Sequence, residues 1–213
     1  LLKAYLNGQF VNSQKGICYN GFDRKRNIKE CRYNPSQPIH VGIDFNVQPM
    51  AACIIQEQPN SPKIKVIDEI LLTQDGSGDL LTERMMNTIK QKYPSVKYNA
   101  YPDATGAARH SSSRYSDIQI IQRANFIVHV RHINPLVINR VNSMNNNLSK
   151  GNIVIDPKCK NLIRDLEQVV LKEGTREIDK ASNSELSHIS DALGYFVDYK
   201  YPSVRAKIGT TDR

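Results

Sequence analysis

Asp44 stands at the end of Ile39–Phe45, a run of otherwise apolar or small residues. A carboxylate there is costly unless it is paired or holds a cation. A cap on the turn at Asn46 is the competing explanation. Asp103 repeats the situation, ending the run Val96–Pro102 before the small residues Ala104-Thr105-Gly106. Functional groups gather at the strand ends near the centre of open α/β sheets, so two such acids can face each other across one cleft. A third acid, Asp191, lies in Ser187-His-Ile-Ser-Asp-Ala-Leu-Gly194. Ala192 and Gly194 would let a helix approach a sheet closely. His188, three residues before Asp191, falls on the same helix face.

Three carboxylates from two strand ends and one helix can hold Mg²⁺ or Mn²⁺, which prefer hard oxygen ligands. Two such ions roughly 4 Å apart can clamp the attacking and leaving oxygens of phosphodiester hydrolysis. His188 could orient a water or relay a proton, and Lys180 could meet phosphate charge. Glu69 is a possible fourth acid; its neighbour Asp68 points to the opposite face of the same strand. Between Ala104 and Lys150 there are six basic residues (Arg109, Arg114, Arg123, Arg131, Arg140, Lys150) against one acid, Asp117. Arg109 and Arg114 flank Ser111-Ser-Ser113, and such donors suit phosphate oxygens; a solvated basic face is the plainer reading. Alternation puts His129 and His132 on opposite faces of a strand, which argues against a metal site there. No phosphate-binding G-x-x-x-x-G-K-[ST], no G-x-S-x-G and no C-x-x-C motif is present.

The elements that must position these residues follow from periodicity. The 213 residues suit one large domain, or one domain with an extension. Ile39–Phe45, Ala51–Gln56 and Ile64–Leu72 read as successive antiparallel strands. A helix is expected over Gly78–Tyr93, a strand over Val96–Tyr101, a short helix over Ser116–Ala124 and a strand over Phe126–Arg131. Asn134–Leu148 reads as helix and Ile153–Ile155 as strand. A helix should open at Asp156-Pro157, a hairpin should follow around Glu173-Gly174, and Glu185–Tyr199 should close the fold as a helix. The pattern is an α/β domain with a mixed central sheet of five or more strands, flanked by helices. Residues 1–37 read as a lead-in arm with a basic run from Arg24 to Arg32. The formal charge of +8 favours a polyanionic partner. Without a signal peptide or an apolar run near 18 residues, a reduced, soluble, cytoplasmic protein is expected.

Three motifs, Val41-Gly-Ile-Asp-Phe-Asn-Val-Gln-Pro-Met50, Tyr101-Pro-Asp-Ala-Thr-Gly106 and His188-Ile-Ser-Asp-Ala-Leu-Gly-Tyr195, together with Asn134-Pro-Leu-Val-Ile-Asn-Arg140, resemble in order and spacing the nuclease domain of tailed-bacteriophage large terminases. The resemblance implies a ribonuclease H-like fold and cleavage of concatemeric viral DNA during genome packaging. It implies that Asp44, Asp103 and Asp191 are metal-binding acids for two Mg²⁺ or Mn²⁺ ions, with His188 beside them. Arg109, Arg114 and Lys180 are the candidate DNA contacts. Residues 1–37 would then be the arm from an ATPase domain missing from this sequence, 38–202 the ribonuclease H-like nuclease domain, and 203–213 a flexible tail. Gln168–Lys180 would be the family's hairpin beside the active site. The implied partners are double-stranded DNA, the ATPase domain, a portal protein and a small terminase subunit. No membrane is implied; the isolated domain would be monomeric and act in the host cytoplasm. A junction resolvase or transposase-like enzyme would use the same carboxylates, and a non-catalytic DNA-binding module would keep them as structural groups.

Overall fold

The computed structural model describes residues 16–46, 48–60, 62–76, 80–108, 115–172, 174–175, 177–179 and 186–203. Arg109, Arg114, Lys180, the first part of the arm and most of the tail lie outside the described residues.

Strand β1 (Ile39–Asp44) is buried at all six positions, as a strand covered on both faces must be. Short turns return the chain into β2 (Met50–Glu57) and β3 (Ile64–Leu72), and both pairings are antiparallel. On the other side of β1 lies β4 (Tyr98–Pro102), parallel to it, and β4 carries the parallel edge strand β5 (Ile127–Val128). At the far edge, β6 (Ile153–Ile155) runs parallel to β3. Among the described residues the strands form one six-stranded mixed sheet, β5-β4-β1-β2-β3-β6. Parallel neighbours need crossovers, and helices supply them. Six α-helices are described: α1 (Arg24–Asn27), α2 (Leu81–Lys92), α3 (Asp117–Arg123), α4 (Val137–Ser149), α5 (Lys160–Gln168) and α6 (His188–Lys200).

The sheet separates two apolar layers. Ile39, Val41 and Ile43 face α2 and α3 with Met85, Met86, Ile89 and Ile121. On the opposite face, Ala51, Cys53 and Ile55 pack with Met144, Leu162, Leu166, Leu193 and Phe196 of α4, α5 and α6. Cys18, Tyr19 and Phe22 join this second layer. The later part of the arm is therefore bound into the domain. Asn27 donates from Nδ2 to the carbonyls of Leu148 and Ile153, and Cys18 N–H donates to Val169 O.

Several boundaries differ from the sequence expectation. The strand expected over Phe126–Arg131 shrinks to two residues, because Arg131 turns away to pair with Asp198 (Nη1–Oδ2 3.1 Å). The helix expected from Asp156-Pro157 starts at Lys160. Asp156 instead accepts from the N–H groups of Lys158 and Cys31. The helix expected from Asn134 starts at Val137, because Asn134 is tied to the end of β4. Ser187 is left-handed (φ 81°), so the last helix begins at His188. Where a hairpin is expected, Leu171 and Ile178 form an antiparallel bridge; Glu173 lies outside the described residues. All four cysteines are buried and unpaired. Among the described residues no helix is long and apolar enough to cross a membrane.

Two buried groups act on stability in opposite directions. His40, between Tyr101 OH (3.1 Å) and Glu57 (3.2 Å), is lowered to about 4, chiefly by burial and further by Lys200 and His129; Glu57 opposes this. Its contribution is present above the unfolded value of 6.5 and lost as pH falls towards about 4. Asp165 is raised to about 6, chiefly by burial, against the Ser190 N–H that donates to it. Its contribution is full below the unfolded value of 3.8 and lost as pH rises through about 6. The two slopes offset one another between about pH 4 and 6. We therefore expect Asp165→Asn to steepen the loss of stability on acidification in that window, and His40→Gln to reverse it. Urea denaturation at stepped pH measures both.

Candidate active site

Two parallel strands deliver the first two acids. In the register of β1 and β4, Ile43 is opposite Pro102, and Asp103 N–H donates to Ile43 O (3.0 Å). Asp44 and Asp103 therefore leave neighbouring strands, about 4.8 Å apart, at the same end. Residues alternate between the faces of a strand. Ile39, Val41 and Ile43 lie in the α2 layer, so His40, Gly42 and Asp44 share the face covered by α6. Tyr98 and Ala100 lie in the α2 layer too, which turns Tyr101 and Asp103 towards α6.

The third acid arrives on α6. A Cβ placed on Gly42 would lie 2.1 Å from Ala192 O, so the helix backbone rests directly on bare β1 backbone. Asp191, one residue earlier, is thereby held in the first turn of α6 beside the strand end. The start of the helix is fixed from α5, where Asp165 Oδ2 accepts from Ser190 N–H (3.2 Å).

Each acid has its own surroundings. Asp44 is 5% exposed. Its Oδ2 accepts from Asn46 Nδ2 (3.0 Å) and lies 3.2 Å from His188 Nδ1, while its Oδ1 has no hydrogen-bond partner among the described residues. His188 Nδ1 also lies 2.8 Å from Asn46 Nδ2. A proton on Nδ1 is donated to the carboxylate; a bare Nδ1 accepts from Asn46. Half-buried Asp103 caps a 3-10 turn, Ala104–Ala107, through Thr105 N–H (2.7 Å). It also accepts from Asn134 Nδ2 (2.5 Å) and Tyr195 OH (3.1 Å). Asp191 is 3% exposed and paired with Arg140 (Nη2–Oδ1 2.6 Å), itself 5% exposed.

Tyr195 and Arg140 connect the acids. The Arg140 guanidinium lies over the Tyr195 ring, 4.5 Å from its centroid. The Tyr195 phenol is pushed far up, first by burial, then by the charges of Asp103, Asp44 and Asp191, with Arg140 opposing. One phenol therefore feels all three carboxylates. Sequence reasoning placed Arg140 on a basic surface and did not assign Tyr195, Asn134 or Asn46 a role. Asn134 and Arg140 bound one of the motifs quoted above, which is the signal that pointed to them.

Glu69, Asp68 and His129 lie elsewhere, the last two as the sequence implies. Glu69 takes the N–H groups of Asn161 and Leu162 (2.8 Å each) and so caps α5. Asp68 faces the opposite layer, bonded to Lys92 Nζ (2.6 Å) and Tyr93 OH (2.7 Å). His129 stacks on Tyr101 with ring centroids 4.8 Å apart. As the side chains stand, no three His, Cys, Asp or Glu groups among the described residues are grouped to hold a metal. The donor chemistry still suits a hard divalent cation, with carboxylates at one strand end and an Asp44 Oδ1 uncommitted among the described residues.

Gly42→Ala should push α6 off the sheet. We expect a loss of about 1–3 kcal/mol, as for other overpacked sites, read from the urea midpoint.

No protein-family model matches the chain, and no curated protein matches it at a significant level. Solved structures do. The large terminase of a thermophilic bacteriophage, in complex with ATP-gamma-S, superposes with a TM-score of 0.68 at 16% identity over 87% of this chain. The chain spans 45% of the length of that protein. The nuclease domain of the P22 large terminase gives 0.66 at 10% identity, covering 88% of this chain and 94% of that one. The nuclease domain of the bacteriophage SPP1 large terminase, solved with bound Mn, gives 0.51 at 19% identity, covering 83% and 95%. The mixed sheet, its crossovers and these superpositions together give the chain the ribonuclease H-like fold of phage large-terminase nuclease domains.

Proposed function

We propose that the chain is the nuclease part of a DNA-packaging large terminase, a divalent-metal-dependent endodeoxyribonuclease that cuts concatemeric viral DNA. The observation that carries this reading is that Asp44 and Asp103 leave neighbouring strands at one end of the sheet, while Tyr195 of α6 donates to Asp103 and lies against the Arg140 guanidinium that pairs with Asp191. The likeness to terminase nuclease domains, one of them solved with Mn, supports it.

Asp44, Asp103 and Asp191 would hold two Mg²⁺ or Mn²⁺ ions, which when bound would activate water and offset phosphate charge. His188, with Nδ1 3.2 Å from Asp44 Oδ2, would hold or pass a proton at that atom. Tyr195 and Asn134 orient Asp103 by hydrogen bonds to its two oxygens. Arg109, Arg114 and Lys180 would meet backbone phosphates, in keeping with the +8 charge. In the whole protein an ATPase domain would precede this chain. A portal protein and a small terminase subunit would be its partners in the host cytoplasm.

A second reading is a DNA-binding module with structural acids. It is favoured by the partners that Asp103 and Asp191 already have. A supercoiled-plasmid assay separates the two. We expect nicked and linear products with Mn²⁺ or Mg²⁺, and none with EDTA, Asp44→Ala or Asp103→Ala. Cutting retained by purified Asp44→Ala protein would overturn the nuclease reading. Salt-sensitive binding without cutting would establish the module, and a strong preference for four-way junctions would favour a resolvase.

A further inference from the structure

Arg140 is a buried cation in a region of gathered carboxylates. Its Nη2 lies 2.6 Å from Asp191 Oδ1, and its guanidinium is stacked on Tyr195. A Cβ on Gly194 would lie 2.8 Å from Arg140 Cγ and 2.9 Å from its Cδ, so the missing side chain at 194 makes the channel through which Arg140 reaches the acid. Arginine does not lose its proton in proteins, so this charge stays at the site at any ordinary pH. Acids brought together without a cation repel one another, and a fixed guanidinium offsets that repulsion. A divalent ion on Asp191 would meet the same guanidinium as a like charge only a few ångströms away.

We propose that Arg140 is a positioning residue that holds Asp191 in place in the cation-free protein and competes with a divalent ion for it. The inference rests on the reading of Asp44, Asp103 and Asp191 as metal ligands, and it adds that this chain tunes its own metal affinity downwards. Arg140 is then a resident counter-charge, displaced from Asp191 as the ion binds.

The test is calorimetric titration of Mn²⁺ into the full 213-residue chain, its Arg140→Gln variant and its Arg140→Lys variant, with Asp44→Ala as the control for site binding. Glutamine keeps a polar side chain along most of the arginine's path and removes the charge. We expect Arg140→Gln to bind Mn²⁺ about tenfold more tightly than the parent or better, since a like charge is removed at close range. Arg140→Lys, whose ammonium lacks the planar stack on Tyr195, should fall between the two. It also keeps the question answerable if the glutamine variant fails to fold. Equal or weaker Mn²⁺ binding by the variants, with the parent binding at a site lost in Asp44→Ala, would overturn the inference and leave the metal site standing. If neither parent nor variants bind Mn²⁺, the metal reading falls and this inference falls with it.

Discussion

The contact between α6 and the bare backbone of Gly42 is the constraint on which the site depends. Strand β1 is the centre of the sheet, and its register places Asp44 and Asp103 side by side. Nothing in the sheet supplies the third acid. It arrives because Ala192 O can sit where a side chain at 42 would be. Hydrophobic burial of Leu193, Phe196 and Val197 holds the helix down. The glycine determines how far down it goes.

That closeness has an electrostatic consequence. Gathering carboxylates in a buried region is unfavourable unless each finds donors. The structure answers it differently at each acid: a side-chain amide and an imidazole at Asp44, a turn N–H, an amide and a phenol at Asp103, and a guanidinium at Asp191. Asp165, buried behind the start of the same helix, is raised to about 6, chiefly by burial and in small part by Asp191.

Much of the fold was legible in the sequence, because apolar alternation and length identify buried strands well. β3 and β6 begin and end where the residues suggested. The three acids were legible as strand-end and helix acids in small-residue surroundings. The errors fall where a tertiary contact overrides local preference. Asn134 has the sequence context of a helix start, but a carboxylate across the fold claims its amide. Asp156-Pro157 looks like a helix opening, but Asp156 is occupied by Cys31 N–H. Arg140 reads as surface charge, since nothing local signals that the distant Gly194 leaves room for it to be buried. Glu69, weakly marked in the sequence as a possible fourth acid, uses its charge to cap α5.

The cap at Glu69 has a wider mechanical meaning. Glu69 on β3 grips the first turn of α5, and Asp165 on α5 grips the first turn of α6. The site helix is therefore mounted at three points: on β1 through Gly42, on β3 by way of α5, and on α4 through Arg140 beside Gly194. Supports from three separate elements resist rocking about any one of them. Asp191 thus keeps its place relative to the two strand acids by the same logic as an optical element in a kinematic mount.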